Sequence, residues 1–414
     1  MRPWSLRELV GELTSGITTP IAAWQRARAR TADTEHELRA WVSMEPEPEF
    51  DSAAGLLRGV PLGVKDIIDV AGLATRCGSA LRADAAPASA DAAIVSAWRH
   101  AGAVPIGKTV TTEFAFFAPG PTQNPARLGH TPGGSSSGSA AAVASGQVPL
   151  AIGSQTAGSV TRPASFCGVA ALVMSRGRLP VDGVTGLSPS LDSHGVFAAT
   201  VSDLALAWSA LTDQPDPALS AQRAPRLLVW NAASLDVVAP EMRDALQTAR
   251  NRLTEAGAET ADFLPERLVS ELTAAHPVVM AYEAARERAV ELAAAGQLSE
   301  PLATLLLTGA ATSVDAYDRA LQTVAAGRET VAALFDRYDA ILGPAAPGAA
   351  PAGLAATGDP ILSRAWQALG LPTVTVPALR ADSGLPLGLQ LIGPAGAEEA
   401  LLAAGCWVEA ALRG

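Results

Sequence analysis

Two serine-bearing turns, rich in small residues, carry the clearest chemical potential of this chain. The first contains Ser135 and the second Ser159, and both lie between positions 133 and 163. Glycine and alanine allow the backbone to approach a ligand closely and to turn its N–H groups toward it. A serine hydroxyl becomes a nucleophile only when a base removes its proton. The pattern therefore predicts nucleophilic catalysis, provided that the chain supplies a base.

Two other interpretations of this segment compete with that one. A flexible Gly/Ser linker is disfavoured because residues 140–144 form a strong helical run and residues 148–152 an apolar, strand-like one. A nucleophile elbow of the G-x-S-x-G type would make Ser136 the nucleophile. An apolar strand precedes that motif in known examples, and the pattern of residues 127–133 does not predict a strand. The motif also needs a downstream acid and a histidine, for which His194 or His276 would have to serve.

Lys65 is the candidate base. Only two lysines occur among the 414 residues, Lys65 and Lys108, and Lys65 has apolar neighbours on both sides. Burial on an apolar strand should lower its pKa from about 10.4, and a neutral amine can accept a proton. The alternative is an edge lysine that reaches solvent or pairs with Asp66 or Asp69. The two serine turns favour the catalytic interpretation.

These residues belong to motifs that resemble, in order and spacing, the amidase signature family. The resemblance spans nearly the whole chain and is strongest over residues 59–203. The matching segments are GVKD at 63–66, GKT at 107–109, EF at 113–114, TPGGSSSGSA at 131–140, QTAGSVTRPA at 155–164, FCG at 166–168, SPSLD at 188–192, Gly195, TVSD at 200–203, GD at 358–359, Trp366 and GLQLI at 388–392.

The resemblance implies a Ser-Ser-Lys triad. Ser159 is then the nucleophile that forms an acyl-enzyme, Ser135 is the bridging serine, preceded by a cis peptide bond in relatives, and Lys65 is the base. Protons pass from Ser159 through Ser135 to Lys65, return to the leaving nitrogen, and water repeats the cycle on the acyl-enzyme. The implied oxyanion hole consists of the N–H groups of Thr156, Ala157, Gly158 and Ser159.

The second turn departs from the family pattern at three positions. Ala157 replaces a usual glycine, which requires that its φ is not strongly positive. Gln155 replaces a common acid, and Thr161 a frequent isoleucine. Gln155 followed by Arg162 resembles short, malonamidase-type members, in which the arginine clamps a substrate carboxylate. Arg162 is therefore a candidate substrate-binding residue, and a purely structural arginine is an equally open interpretation.

The elements that must position these residues alternate between helix and strand. Apolar spacing predicts that the first fifty residues are helical, with amphipathic runs at 6–13 and 21–30, and it predicts further helices at 91–101 and 240–256. Apolar runs predict strands near 60–68, 103–107, 226–230, 340–343, 373–377 and 387–392. With the resemblance, this predicts an α/β fold with a mixed sheet covered by helices on both faces. We expect one domain over residues 1–414, with a helical cap at about 265–335.

The composition narrows the range of partners and locations. The net charge is −11 and no long basic tract occurs, so we expect no nucleic-acid partner. No apolar stretch is long enough for a transmembrane helix, and residues 1–13 lack the apolar core of a signal peptide. Three scattered cysteines and five scattered histidines predict a cytoplasmic protein without a disulfide framework or a zinc site.

The sequence thus predicts an amidohydrolase that cleaves a linear carboxamide or a related C–N bond, without metal or cofactor. A small amide bearing a carboxylate is the substrate if Arg162 faces the site. An aryl amide, a carbamate or an ester is the alternative if it does not. A further alternative is a subunit of a tRNA-dependent amidotransferase, which shares the signature. A homodimer is left open.

Overall fold

The computed structural model of the chain describes residues 1–45, 50, 55–220 and 223–413. In this part, 11 strands form one sheet, accompanied by 13 α-helices. The strands are β1 (Trp41–Met44), β2 (Val60–Lys65), β3 (Ala103–Thr109), β4 (Leu150–Gln155), β5 (Ala170–Val173), β6 (Ser193–Ala198), β7 (Arg226–Val229), β8 (Glu259–Asp262), β9 (Ala340–Pro344), β10 (Thr373–Arg380) and β11 (Pro386–Ile392). The helices are α1 (Leu6–Ser15), α2 (Pro20–Leu38), α3 (Ala93–His100), α4 (Ser137–Ala144), α5 (Thr161–Cys167), α6 (Val201–Thr212), α7 (Pro240–Glu255), α8 (Glu266–Glu287), α9 (Ala289–Ala293), α10 (Glu300–Ala311), α11 (Val314–Ala332), α12 (Ile361–Leu369) and α13 (Glu398–Arg413).

The strands follow the order β1-β3-β2-β4-β6-β5-β10-β11-β9-β7-β8 across the sheet. β2 runs parallel to β3 and β4, and β7 runs parallel to β8 and β9, whereas the other neighbours are antiparallel. Every residue of β2, β3, β4 and β11 is buried, which explains why these strands are nearly continuous apolar runs. The predicted α/β class, with a mixed sheet between helices, is confirmed.

The prediction of helix throughout the first fifty residues is wrong at its end. α2 continues beyond the predicted residue 30 and ends at Leu38, after which Arg39 adopts a left-handed conformation. The next residues form β1, which pairs antiparallel with β3 at the edge of the sheet. The edge of β3 offers hydrogen-bond partners to β1, and the local sequence pattern of β1 does not predict this pairing. Residues 46–49 lie outside the described residues.

The linker interpretation of the serine-rich segment is also wrong. The first turn leads into α4, in which all eight residues are buried, and β4 follows it. Small residues are needed because α4 approaches the end of β3 closely. A Cβ at Gly138 would lie 2.3 Å from the backbone nitrogen of Val110. The segment is therefore a core element with a serine turn at each end.

The segment between β8 and β9 is mainly helical, as predicted, and comprises α8 to α11. α8 packs against α10, α11 and α12. Glu283 of α8 accepts hydrogen bonds from Ser188 Oγ (2.6 Å), the backbone nitrogen of Ser190 (3.0 Å) and Tyr317 Oη (2.8 Å). This carboxylate joins the helical segment to the SPSLD motif at 188–192.

Candidate active site

Lys65, the last residue of β2, is fully buried among uncharged hydrogen-bond partners. Its Nζ lies 2.6 Å from Ser135 Oγ, 2.8 Å from Ser154 Oγ and 3.4 Å from Ser154 O. Burial lowers the pKa of Lys65 to about 7, although the charge of Asp192 acts in the opposite direction. A neutral amine is therefore well populated near pH 7, as a general base requires.

In the described part of the chain, neither of the alternative partners proposed for Lys65 is paired with it. Asp66 forms a buried ion pair with Lys108, whose Nζ lies 3.0 Å from Asp66 Oδ1 and donates to Thr75 Oγ1 at 2.8 Å. Asp69 forms no ion pair with Lys65 among the described residues. Because Lys65 has no accessible surface, the interpretation of an edge lysine that reaches solvent is wrong.

The first serine turn places Ser135 against this amine. The peptide bond between Gly134 and Ser135 is cis, as the resemblance implied. Ser135 lines the same cavity as Ser159. Ser136, by contrast, is fully buried and donates to Ser154 O at 3.3 Å. Since residues 127–133 contain no strand, the strand–turn–helix arrangement of a nucleophile elbow is not formed.

The second turn connects β4 to α5 and leaves its backbone donors open. Ser159 is 8% exposed, so its side chain retains some access from the cavity. Within residues 1–45, 50, 55–220 and 223–413, the N–H groups of residues 156–159 donate to no protein acceptor. Unpartnered donors beside a serine hydroxyl are what the stabilisation of an oxyanion requires.

The alanine in the second turn does not distort it. Ala157 avoids the positive-φ region, so a side chain causes no backbone strain at this position. Gly158 is constrained differently, because a Cβ there would lie 2.9 Å from Pro360 Cβ. Position 157 therefore tolerates alanine, whereas position 158 has no room for a side chain.

Gln155 supports the second turn in a way that the sequence did not reveal. Its Oε1 accepts from the backbone nitrogens of Val160 (2.9 Å) and Thr161 (3.0 Å), which satisfies two donors at the start of α5. Its Nε2 donates to Gln367 Oε1 at 3.0 Å. A carboxylate could accept the first two bonds but could not donate the third. The departure at Gln155 was visible in the sequence, but its partner in α12 was not.

Thr156 is held by two residues from distant parts of the chain. Its Oγ1 donates to Asp192 Oδ1 at 2.5 Å, and its backbone oxygen lies 2.8 Å from Nε2 of His276, a residue of α8. Asp192 belongs to the SPSLD motif, but the sequence did not indicate that its side chain contacts Thr156. His276 was considered only as part of a histidine-based triad, and no local signal pointed to this contact.

Arg162 is almost completely buried and only partly hydrogen-bonded. Its Nη2 donates to Gly134 O at 2.6 Å and to Thr357 Oγ1 at 3.2 Å. Among the described residues, its Nε and Nη1 have no partner. Burial lowers the pKa of Arg162 to about 9, opposed by the negative charge of Asp359. The arginine thus combines a structural contact with unpartnered donors, and it lines the same cavity as the two serines.

Apolar and cationic side chains both line the cavity that holds the two serines. Phe116, Phe117 and Met280 are among the apolar ones. Arg162 and Arg364 also line it, whereas no carboxylate among the described residues does. The sequence did not predict Arg364, since its place on α12 brings it to the site only through tertiary packing.

The other histidine of the elbow hypothesis lies outside this cavity. His194 lies on β6 with its Nε2 2.8 Å from Pro180 O. Burial lowers the pKa of His194.

Among the residues described, no group of three or more His, Cys, Asp or Glu side chains is arranged to hold a metal ion. No helix in the described part has the length and apolarity needed to cross a membrane.

Comparisons with known proteins show to which family the chain is similar. The Amidase family model matches residues 34–402. The chain is 34% identical to the AtzE subunit of 1-carboxybiuret hydrolase from Pseudomonas sp. (strain ADP), with 96% of each chain covered. It is 31% identical to a subunit of glutamyl-tRNA(Gln) amidotransferase from Synechococcus sp. (strain RCC307), covering 94% of this chain and 93% of the relative. A solved structure described as an amidase superposes with a TM-score of 0.88 and 28% identity over 98% of this chain and 99% of the other.

The chain belongs to the amidase signature family. It is an enzyme of the class that hydrolyses carbon–nitrogen bonds in amides.

Proposed function

We propose that this enzyme cleaves a linear carboxamide or a related C–N bond through a Ser-Ser-Lys triad and an acyl-enzyme. The proposal rests above all on one contact, the 2.6 Å between Lys65 Nζ and Ser135 Oγ. The amine is buried and its pKa is about 7, and the hydroxyl opens into the cavity that Ser159 also lines. A base, a relay and a nucleophile are thus available in one place.

The environment of Lys65 supports its role as proton acceptor. A neutral amine has two N–H donors and one lone pair. Ser154 O and Ser154 Oγ can accept the two hydrogens, which leaves the lone pair for the hydroxyl proton of Ser135. Ser135 Oγ then accepts the proton of Ser159 as Ser159 attacks the substrate carbonyl.

The second turn supplies the stabilisation of the tetrahedral intermediate. The unpartnered N–H groups of Thr156, Ala157, Gly158 and Ser159 are the proposed donors to its oxyanion. As the intermediate collapses, the proton returns through Ser135 to the leaving nitrogen, because an amine leaves only in its protonated form. Water then attacks the acyl-enzyme with the same relay as its base.

A compact amide that carries a carboxylate is the proposed substrate. Arg162 presents two unpartnered guanidinium nitrogens, and Arg364 adds a second positive charge without a carboxylate in the cavity lining. A guanidinium binds a carboxylate through paired hydrogen bonds. The free volume of the cavity is about 20 Å³, which favours a compact substrate over a bulky one.

Two other substrate classes have specific support. The phenylalanines in the cavity lining, Phe116 and Phe117, favour an aryl amide, a carbamate or an ester. The relative from Synechococcus favours a subunit of a tRNA-dependent amidotransferase, which would require partner chains. The net charge of −11 opposes direct contact with tRNA, so we favour an enzyme that acts on small molecules.

The test is turnover by the purified chain on malonamate, succinamate, 4-nitroacetanilide and ethyl carbamate. Ser159→Ala is expected to abolish hydrolysis while thermal unfolding stays cooperative. Undiminished turnover by this variant would overturn the proposal. Arg162→Lys retains the charge but loses the paired geometry, and is expected to raise KM for the two carboxylates more than for 4-nitroacetanilide. Equal effects on all substrates would exclude carboxylate recognition by Arg162.

The assembly state of the chain is a separate proposal. A homodimer and an assembly with other chains are both compatible with this family, since two of its relatives are described as subunits. Light scattering on the purified chain measures its mass directly. Turnover by the chain alone would show that no other subunit is needed for hydrolysis.

A further inference from the structure

The contact between His276 and the second turn has a consequence for the oxyanion hole. His276 has no accessible surface, and its Nε2 lies 2.8 Å from the backbone oxygen of Thr156. A carbonyl oxygen only accepts, so Nε2 carries the hydrogen and donates it. The ring is held neutral, since burial lowers the pKa of His276 to about 4 and the charge of Arg364 acts in the same direction.

The oxygen that His276 binds belongs to the same peptide unit as the N–H of Ala157. In a trans peptide these two groups point in opposite directions from one rigid plane. The only cis peptide bond in the described part of the chain precedes Ser135, so the unit between Thr156 and Ala157 is trans. A hydrogen bond that fixes the oxygen of Thr156 therefore also fixes the direction of the Ala157 N–H.

A second bond restricts the same residue from its side chain. Thr156 Oγ1 donates to Asp192 Oδ1, and Asp192 Oδ2 accepts from the backbone nitrogens of Leu187 (2.8 Å) and Ser188 (3.0 Å). Asp192 is thereby anchored in its own loop. The bond from His276 controls the peptide plane, whereas the bond to Asp192 controls the side chain, so neither replaces the other.

We propose that His276 is a positioning residue of the oxyanion hole, through which helix α8 sets the direction of the Ala157 N–H. This rests on the proposed function, because it takes Ser159 as the nucleophile and Ala157 as an oxyanion donor. His276 touches neither substrate nor the reacting atoms. Its effect falls on the transition state, where the oxyanion carries its charge, and not on the binding of the ground state.

The test measures the rate at which a fluorophosphonate labels the nucleophilic serine, which requires no knowledge of the substrate. The phosphoryl oxygen gains negative charge in the transition state and occupies the place of the oxyanion. His276→Leu removes the donor at similar volume, and His276→Asn remains polar but its amide is too short to reach the Thr156 oxygen. His276→Gln places an amide donor near the position of Nε2.

We expect His276→Leu and His276→Asn to be labelled roughly 10- to 100-fold more slowly than the wild type, a part of the loss that follows deletion of an oxyanion donor. His276→Gln should recover most of the rate. On any amide that the enzyme turns over, the same variants should lower kcat and leave KM nearly unchanged. If His276→Leu does not fold, the comparison between His276→Asn and His276→Gln decides.

His194 provides the matched control. It is also buried, and its Nε2 also lies 2.8 Å from a backbone oxygen, but that oxygen belongs to Pro180. His194→Leu should keep the labelling rate, with thermal unfolding measured for every variant. Wild-type labelling of His276→Leu, or equal rates for folded His276→Asn and His276→Gln, would overturn the inference. Persistent labelling of Ser159→Ala would instead overturn the assignment of the nucleophile.

Discussion

The only two lysines of this chain lie on adjacent parallel strands and have opposite surroundings. Lys65 ends β2 and Lys108 lies in β3, and neither has any accessible surface. Lys108 has a carboxylate partner, Asp66, at 3.0 Å. Lys65 has the oxygen atoms of Ser135 and Ser154. Both lysines are equally buried, but Lys108 faces a charged group and Lys65 faces neutral hydrogen-bond partners.

The hydrogen-bond partners of a buried lysine determine which role it can take. Burial lowers the pKa of both, since it disfavours the charged form. For Lys108, the attraction of Asp66 opposes that effect and favours a charged pair. Among the described residues no carboxylate bonds directly to Lys65, and burial lowers its pKa to about 7. The first arrangement suits an ion pair of the core, and the second suits proton transfer near neutral pH.

The largest expected effect separates the two lysines by activity. Lys65→Met should lower kcat/KM by about 10³-fold, within the range for loss of a general base, because Lys65 is the only side chain in the described part that hydrogen-bonds to the hydroxyl of Ser135. Amide hydrolysis at pH 8, with circular dichroism to check the fold, measures it. Comparable losses in Lys65→Met and a folded Lys108→Met would remove the distinction between the two residues.

The next effect separates them by stability. Lys108→Met leaves the carboxylate of Asp66 buried without its cation and should lower the free energy of unfolding by about 3–5 kcal/mol. Turnover per folded molecule should persist. Urea unfolding gives the free energy, with Lys65→Met as the matched variant on the neighbouring strand.

A double variant sharpens this test. Asp66→Asn combined with Lys108→Met removes both charges and retains an acceptor for the backbone nitrogen of Arg76, which contacts Asp66 at 3.2 Å. Most of the lost stability should return, and the double-mutant cycle measures the coupling. Additive losses would mean that the two residues contribute independently.

The smallest effect concerns pH. The pKa of Lys65 is about 7 in the folded chain, below its ordinary value of 10.5. Between these values the unfolded chain binds more protons, so this residue makes stability rise with pH across that window. Activity should rise with pH through about 7, as the amine becomes neutral.

Lys65→Met lacks this titration and serves as the control. The free energy of unfolding of the wild type relative to Lys65→Met should therefore increase from pH 7 to pH 9.5. A pH-independent difference between the two proteins would contradict the lowered pKa. The measurement is urea unfolding of both proteins in parallel at matched ionic strength.

The regular core of the fold was predictable because it depends on local patterns. The apolar runs at β2 and β3 and the helical spacing at α3 and α7 each identify an element to within a few residues. β1 was missed because its four residues form a strand only where the edge of β3 offers hydrogen bonds. Gln155 was recognised as unusual, but its partner Gln367 lies in a helix more than 200 residues later in the chain.

The residues available for chemistry can be recognised in the sequence: two serine turns with a buried helix between them, a lysine within an apolar strand and an arginine just after the second turn. These are properties of residue type and spacing, and the burial of apolar runs forms the helices and strands that carry them. The contacts between these residues depend on the tertiary structure. It placed Lys65 against Ser135 rather than Asp66, left the N–H groups of the second turn open, and brought His276 to Thr156. Such contacts join residues far apart in the chain, and their geometry is set by the packing of whole strands and helices.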